Sequence, residues 1–292
     1  VSNDPLALTP VEERNGLLYK REDHHRNAYG VNGAKYRACR HMMVNAIMEG
    51  YDHVVSAQSV LSPQSSICAT LAEELGIGCT LVYGASKRES ALKHPNVRIA
   101  AEAGAMMDFV PRVAYNGVIQ PYARSLAEEL GAWHLPYAIS MPENAARGDL
   151  QDFLAVGGAQ TANIPDEART LVMPFGSGNT AAGVLYGLSR LSQTNIEKVV
   201  LVGIGPDRYD WLAHRLEVAG ARHVLEDLEV ERIPLHPHFA TYGDRMPETL
   251  DGIVLHPTYE GKVARYLNET RPAWWTARDG STLFWIVGGP LP

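Results

Sequence analysis

The stretch TLVMPFGSGNTAAGVLYGL, residues 170–188, passes from an apolar strand through a glycine turn into a helix. The turn is Gly176, Ser177, Gly178, Asn179 and Thr180. Glycines let backbone N–H groups converge, and a helix start adds partial positive charge, so such a turn suits a phosphate or similar anion. A tight glycine turn without a ligand is the alternative. Two nucleotide motifs fail here: Ala181 stands where the third glycine of GxGxxG belongs, and the Gly-Lys-Ser/Thr ending of a P-loop is missing.

Working outward, strand-like and helix-like runs alternate. HVVSA, CTLVYG, MDFVP and KVVLVGI read as strands, while the run after Gly33, LSPQSSICATLAEELG, NVRIAAEAG, YARSLAEELG and YDWLAHRLEVAG read as helices. This alternation is the mark of βαβ units and a mostly parallel sheet covered by helices. Ser62 is the expected N-cap of the second helix, with Pro63 at its first position and Gly76 as its stop. STLFWIVGG closes the chain as a buried strand. Residues 226–257, rich in His, Pro and acidic side chains, read as a loop-rich connection.

A chain of 292 residues exceeds the usual single domain. Its 46% hydrophobic and 20% charged residues are the balance of a globular protein. A formal charge of −7, from 26 basic and 33 acidic side chains, argues against non-specific attraction to nucleic acid or anionic lipid, and leaves room for a local basic pocket. The three cysteines, Cys39, Cys68 and Cys79, form no CxxC pair and leave one over in any disulfide scheme. With no signal-peptide pattern and no apolar run of membrane-spanning length, a soluble cytoplasmic protein is expected. No metal site is expected.

Three short segments carry candidate chemistry. Lys35, in YGVNGAKYRACRHMMVNAIMEG, falls in the first turn of a helix, where the macrodipole disfavours a cation. It is either a solvated lysine or a chemical one. In HPTYEGKVARYL, Tyr259 and Glu260 precede a helix; the pair suits proton transfer or stacking on a heterocycle, or is an acidic first turn. KRED, residues 20–23, reads alone as a charge run on a solvated edge.

The order of these segments (KRED, Lys35 with Arg37, Ser62-x-Gln64, GSGNT, PTYEGK, and a last strand ending in two glycines) resembles the fold type II, tryptophan synthase β-like, pyridoxal-phosphate enzymes. Within them it is most similar to 1-aminocyclopropane-1-carboxylate deaminase and D-cysteine desulfhydrase. The resemblance runs from Leu18 to Gly289. It implies an α/β protein of two three-layer αβα domains with mostly parallel sheets. A small domain, residues 51–141, would be inserted into a large one formed by residues 1–50 and 142–292, with pyridoxal 5'-phosphate between them.

The resemblance also assigns residues. Lys35 becomes the Schiff-base lysine: near a helix-end dipole and shielded from water, an amine loses part of its preference for the ammonium form, and the free amine attacks an aldehyde. Gly176, Ser177, Gly178, Asn179 and Thr180 would hold the cofactor phosphate. Glu260 would face the pyridine nitrogen and strengthen the electron sink. Tyr259 and Tyr242 would face the substrate as catalytic residues, and Ser62, also catalytic, and Gln64 would bind it. A homodimer acting on a small amino acid or an amino-acid conjugate is implied, by deamination, elimination or another lyase reaction.

Three departures bear on the substrate. Pro63 replaces the family's Asn and removes both an amide and a backbone N–H. VNGAK replaces GGNK, and the segment between Tyr242 and Tyr259 is short and without a helix. Poor turnover of 1-aminocyclopropane-1-carboxylate and D-cysteine is therefore expected, with preference for a larger conjugate. Decarboxylation of such a conjugate is the alternative outcome, and a non-catalytic binding or scaffolding protein is the alternative of another class.

Overall fold

In the computed structural model, which describes residues 4–84, 87–110, 116–241 and 243–291, the chain opens with a hairpin of β1 (Val11–Arg14) and β2 (Leu17–Arg21). The turn between them places Asn15 and Gly16 at φ of 48° and 75°, the pairing that matches the twist of a two-residue hairpin. After α1 (Ala34–Met48) come β3 (His53–Gln58), α2 (Gln64–Leu75), β4 (Gly78–Tyr83), α3 (Arg88–Ala91), α4 (Pro95–Glu102), β5 (Met106–Phe109), α5 (Asn116–Leu130) and β6 (Trp133–Leu135). The chain continues through α6 (Arg147–Gly158), β7 (Thr170–Phe175), α7 (Asn179–Leu188), β8 (Lys198–Gly203), α8 (Tyr209–Ala219), α9 (Val224–Asp227) and β9 (Glu229–Pro234). A hairpin of β10 (Thr249–Leu250) and β11 (Ile253–Val254), then α10 (Glu260–Thr270), α11 (Ala273–Thr276) and β12 (Thr282–Ile286), complete it.

Two parallel sheets result. The larger has the order β1-β2-β12-β7-β8-β9, antiparallel only between β1 and β2. The smaller, β5-β4-β3-β6, is parallel throughout, and its strands all fall between His53 and Leu135. Both are covered on two faces, which is why β7, β8 and β12 read as nearly unbroken apolar runs. Leu171, Met173 and Leu201 of the larger sheet pack with α6, α7 and α8, while Val172, Val200 and Phe284 pack with α10 and Trp275 on the opposite face. In the smaller sheet Val54 and Leu81 meet α2 and α4, and Val55 and Val82 meet α5. The architecture is three-layer αβα in both.

Two sequence expectations are corrected. Residues 226–257 are not all loop: β9 pairs with β8 along its whole length. It is an edge strand, with Glu229, Arg232 and Pro234 exposed, and a charged, proline-ended edge carries no apolar alternation to betray it. Nor is KRED a solvated charge run. Lys20, Arg21 and Glu22 are buried; Lys20 Nζ donates to Thr9 O (2.9 Å) and Asn163 Oδ1 (2.6 Å), and Glu22 pairs with Arg37 at 3.1 Å. Mutual pairing lets charged residues occupy a central strand and its end.

Close helix packing fixes the glycine turn in space. A Cβ on Gly187 of α7 would lie 2.4 Å from the Gly158 carbonyl oxygen of α6, so the two backbones touch. This contact anchors α7, whose first residues follow the C-terminal end of β7. Among the described residues, no helix is long and apolar enough to cross a membrane.

Candidate active site

A cavity of about 330 Å³ opens where the C-terminal ends of strands from both sheets converge. Its walls come from the segments that follow β3 (Ser62, Gln64), β6 (Tyr137, Ala138, Ser140), β7 (Gly176 to Ala181), β8 (Ile204, Gly205, Pro206, Arg208) and β12 (Val287), and from Lys35 and Tyr259. Crevices outside the carboxyl ends of parallel strands are where open α/β sheets bind ligands.

Lys35 is the second residue of α1. The helix start is pinned to β12: Ala34 N donates to Val287 O at 2.8 Å, and Gly33 sits at φ 96°, where a Cβ would fall 2.4 Å from the same oxygen. Among the described residues no hydrogen bond or ion pair engages the Lys35 amine, and burial lowers its pKa to about 8. The amine therefore gives up its proton far more readily than a surface lysine.

Across the cavity, Gly178 caps α7 in the left-handed region, φ 88°, and a Cβ there would press on the Trp211 ring at 2.8 Å. The first N–H groups of α7 have no partner within the helix, and their residues Asn179, Thr180 and Ala181 line the cavity together with Ser177. The Asn179 side chain is engaged elsewhere. Its Nδ2 donates to Ala138 O (3.2 Å) and Ile139 O (3.4 Å), and its Oδ1 accepts from Ser140 Oγ (3.2 Å).

At the start of α2, Pro63 already has helical angles (φ −65°, ψ −13°), and Ser62 Oγ accepts from Gln64 N at 3.2 Å, so Ser62 caps as the sequence predicts. Gln64 is buried, and its Nε2 donates to Ser56 Oγ (2.9 Å) and Pro136 O (3.2 Å).

Glu260 opens α10 and is fully buried. Its Oε1 accepts from Val287 N (2.8 Å) and Gly288 N (3.3 Å), while its Oε2 is buried with no hydrogen-bond partner. Burial raises its pKa to about 8, against the pull of those backbone N–H groups, and Asp23 adds to the rise. Tyr259 lines the cavity with the His256 ring tilted against it, centroids 4.6 Å apart. His256 Nδ1 accepts from Thr258 N at 3.2 Å, which places the ring proton of the neutral form on Nε2. Burial, reinforced by Arg245, Lys35 and Lys262, lowers its pKa to about 4, so the ring is neutral at pH 7.

The structure thus gathers Lys35, Ser62, Gln64, Gly176, Ser177, Gly178, Asn179, Thr180 and Tyr259 around one cavity, with Glu260 bonded to its wall. Tyr242 lies outside the described residues. Sequence reasoning misses His256, Trp211, Tyr137 and Arg208. His256 lies three residues before Tyr259 but reads as part of a His-Pro turn, and the others sit in or after connections that only the folded chain brings together.

No family model matches the chain. It is 28% identical to a protein of Salmonella phage ViI named O-seryl-dTMP PLP-dependent decarboxylase, over 97% of this chain and 81% of that protein. It is 26% identical to the 1-aminocyclopropane-1-carboxylate deaminase of Methylobacterium sp. (strain 4-46), over 88% of this chain and 86% of the relative. Among solved structures, an ACC deaminase homologue superposes with a TM-score of 0.72 at 24% identity, covering 97% of this chain and 90% of its own. The tomato threonine deaminase isoform 2, at 15% identity, covers 97% of this chain and 80% of its own with a TM-score of 0.64. In fold, and more distantly in sequence, the chain is similar to the fold type II pyridoxal-phosphate enzymes.

Proposed function

We propose that this chain is a pyridoxal-phosphate-dependent lyase that removes the carboxylate from an amino acid borne on a larger group, of the seryl-nucleotide kind. The residues present fit the cofactor. The Lys35 amine is unengaged and easily deprotonated, as an amine that is to hold an aldehyde must be. The left-handed Gly178 starts α7 beside the cavity with the N–H groups of its first turn unpaired within the helix, and the orphaned Glu260 Oε2 lacks the partner that a pyridine nitrogen would supply. When bound, the cofactor supplies an electron sink for the pair left at the substrate's α-carbon.

The chain's own groups do the rest. The N–H groups at the start of α7 would hold the phosphate, Glu260 would hold a proton toward the ring nitrogen, and Tyr259, with the His256 ring against it, would face the substrate. The same reading takes residues 51–141 as the small domain and the active form as a homodimer.

The observation that carries decarboxylation is the donor-poor start of α2. Pro63 has no N–H, the Gln64 N–H is taken by Ser62 Oγ, and the Gln64 amide is spent on Ser56 and Pro136. A hydrogen bond to a charged group contributes about 1.5–3 kcal/mol, so a carboxylate here is held weakly. Weak solvation of the departing carboxylate favours its loss as neutral carbon dioxide. The phage relative's name points the same way. Deamination of a small amino acid is the second reading, favoured by Glu260, whose carboxyl suits a strong electron sink.

Incubating the holoprotein with 1-aminocyclopropane-1-carboxylate, D-cysteine, L-serine and O-seryl-thymidylate separates them. Carbon dioxide without ammonia from the conjugate is the expected product. Ammonia with a 2-oxo acid from 1-aminocyclopropane-1-carboxylate would establish the second reading.

A further inference from the structure

Tyr137 lines the cavity and is 48% exposed. Among the described residues its hydroxyl has no hydrogen-bond partner. The two residues after it, Ala138 and Ile139, have φ of 62° and 55°, left-handed angles that non-glycine residues adopt at a cost. Such strain persists only where the surroundings over-determine it, and here they do. Asn179 of the cradle holds the carbonyls of Ala138 and Ile139, Gln64 holds that of Pro136, and Ile139 is buried as an anchor. The fold thus maintains a strained turn that keeps a half-exposed aromatic side chain at the cavity.

The charge of the wall is equally selective. The chain carries a net −7, yet among the described residues no carboxylate lines this cavity, while Lys35 and Arg208 do. Among the described residues no ion pair or hydrogen bond engages the Arg208 side chain. One anionic ligand, the cofactor, is matched by the α7 cradle. Arg208 is a further unpaired cation, suited to a second anion.

We propose that Tyr137 and Arg208 grip the nucleotide part of the substrate, Tyr137 stacking on the base and Arg208 pairing with the phosphate. The ligand is a thymidine monophosphate unit, free or within a strand. This rests on the conjugate reading above.

Calorimetric titration of the cofactor-loaded protein with thymidine, thymidine 5'-monophosphate and tetrathymidylate tests it, with cofactor content followed by absorbance. Stacking of a base on an aromatic ring corresponds to roughly a tenfold effect or more on affinity. Tyr137→Ala should therefore weaken thymidine and its monophosphate alike by about tenfold, and Tyr137→Phe should restore both. Arg208→Gln should erase the preference for the monophosphate over thymidine while thymidine binding stays the same. Tetrathymidylate binding more tightly than the monophosphate assigns the unit to a strand; equal or weaker binding assigns it to the free nucleotide.

The proposal is overturned by a wild-type protein that binds none of the three at millimolar concentration, or by Tyr137→Ala binding as wild type. It is also overturned if Arg208→Gln keeps the preference, or if that variant loses cofactor, which would place Arg208 on the cofactor phosphate. Failure of the conjugate reading looks different: the predicted binding would be seen, with no carbon dioxide from O-seryl-thymidylate.

Discussion

Glu260 holds its proton up to about pH 8 in the folded chain, against an ordinary value of 4.5. Between those values the folded state binds one proton more than the unfolded state, so this group's stabilisation is complete below about 4.5 and is lost as pH rises through 8. In cofactor-free protein, Tm should fall more steeply from pH 5 to 8 for wild type than for Glu260→Gln; parallel curves would contradict the assignment. Lys35, with its pKa lowered to about 8, contributes the opposite slope above that pH, and does so in both proteins. In the holoprotein Glu260→Gln should retain cofactor yet lower turnover by about tenfold or more, since the sink is weakened. Pro63→Asn restores an amide and an N–H at the start of α2, and should lower KM for free small amino acids while leaving KM for the conjugate little changed. Lys35, Ser62 and Gln64, which the structure brings to one cavity, stand out in the sequence because each sits in a run of distinctive neighbours. Lys20 and Glu22 do not, because their burial depends on Thr9, Asn163 and Arg37, partners that no local pattern announces.

At the scale of elements, the strand-turn-helix of β7 and α7 was legible in full, down to the position of the turn. The buried strands advertise themselves as apolar runs and the glycines interrupt them. What the sequence concealed was the reason for glycine at particular places. Gly178→Ala forces a side chain into a left-handed position, at about 1–2 kcal/mol, and against the Trp211 ring, so stability and cofactor affinity should fall together. Gly187 lies at the opposite end of α7 from the glycine turn, yet a Cβ there meets a backbone oxygen of α6 that cannot yield. Gly187→Ala should lower stability by about 1–3 kcal/mol and weaken cofactor retention by displacing α7; denaturant unfolding and cofactor titration of the two variants check both. Strand β9 escaped notice for the opposite reason, since an edge strand needs charge and proline more than it needs apolar alternation. The turn at Tyr137 was equally hidden, because its strain and its latches come from Asn179 and Gln64, distant in sequence.

Across the whole molecule, two parallel sheets turn the ends of their strands toward one cavity, and among the described residues the net negative chain clears carboxylates from its wall. The chain has six lysines, Lys20, Lys35, Lys87, Lys93, Lys198 and Lys262. Lys20 and Lys262 are buried and committed to carbonyl oxygens of Thr9 and Thr241, and Lys198 pairs with Glu229 and Glu231. Lys35 alone among them lines the cavity. Reduction of the cofactor-loaded protein with borohydride, followed by peptide mapping, reads directly which amine holds the cofactor. The label is predicted on the peptide containing Lys35, in one equivalent per chain; label on Lys20 or Lys262, or none in a folded protein that has bound pyridoxal phosphate, would contradict the account.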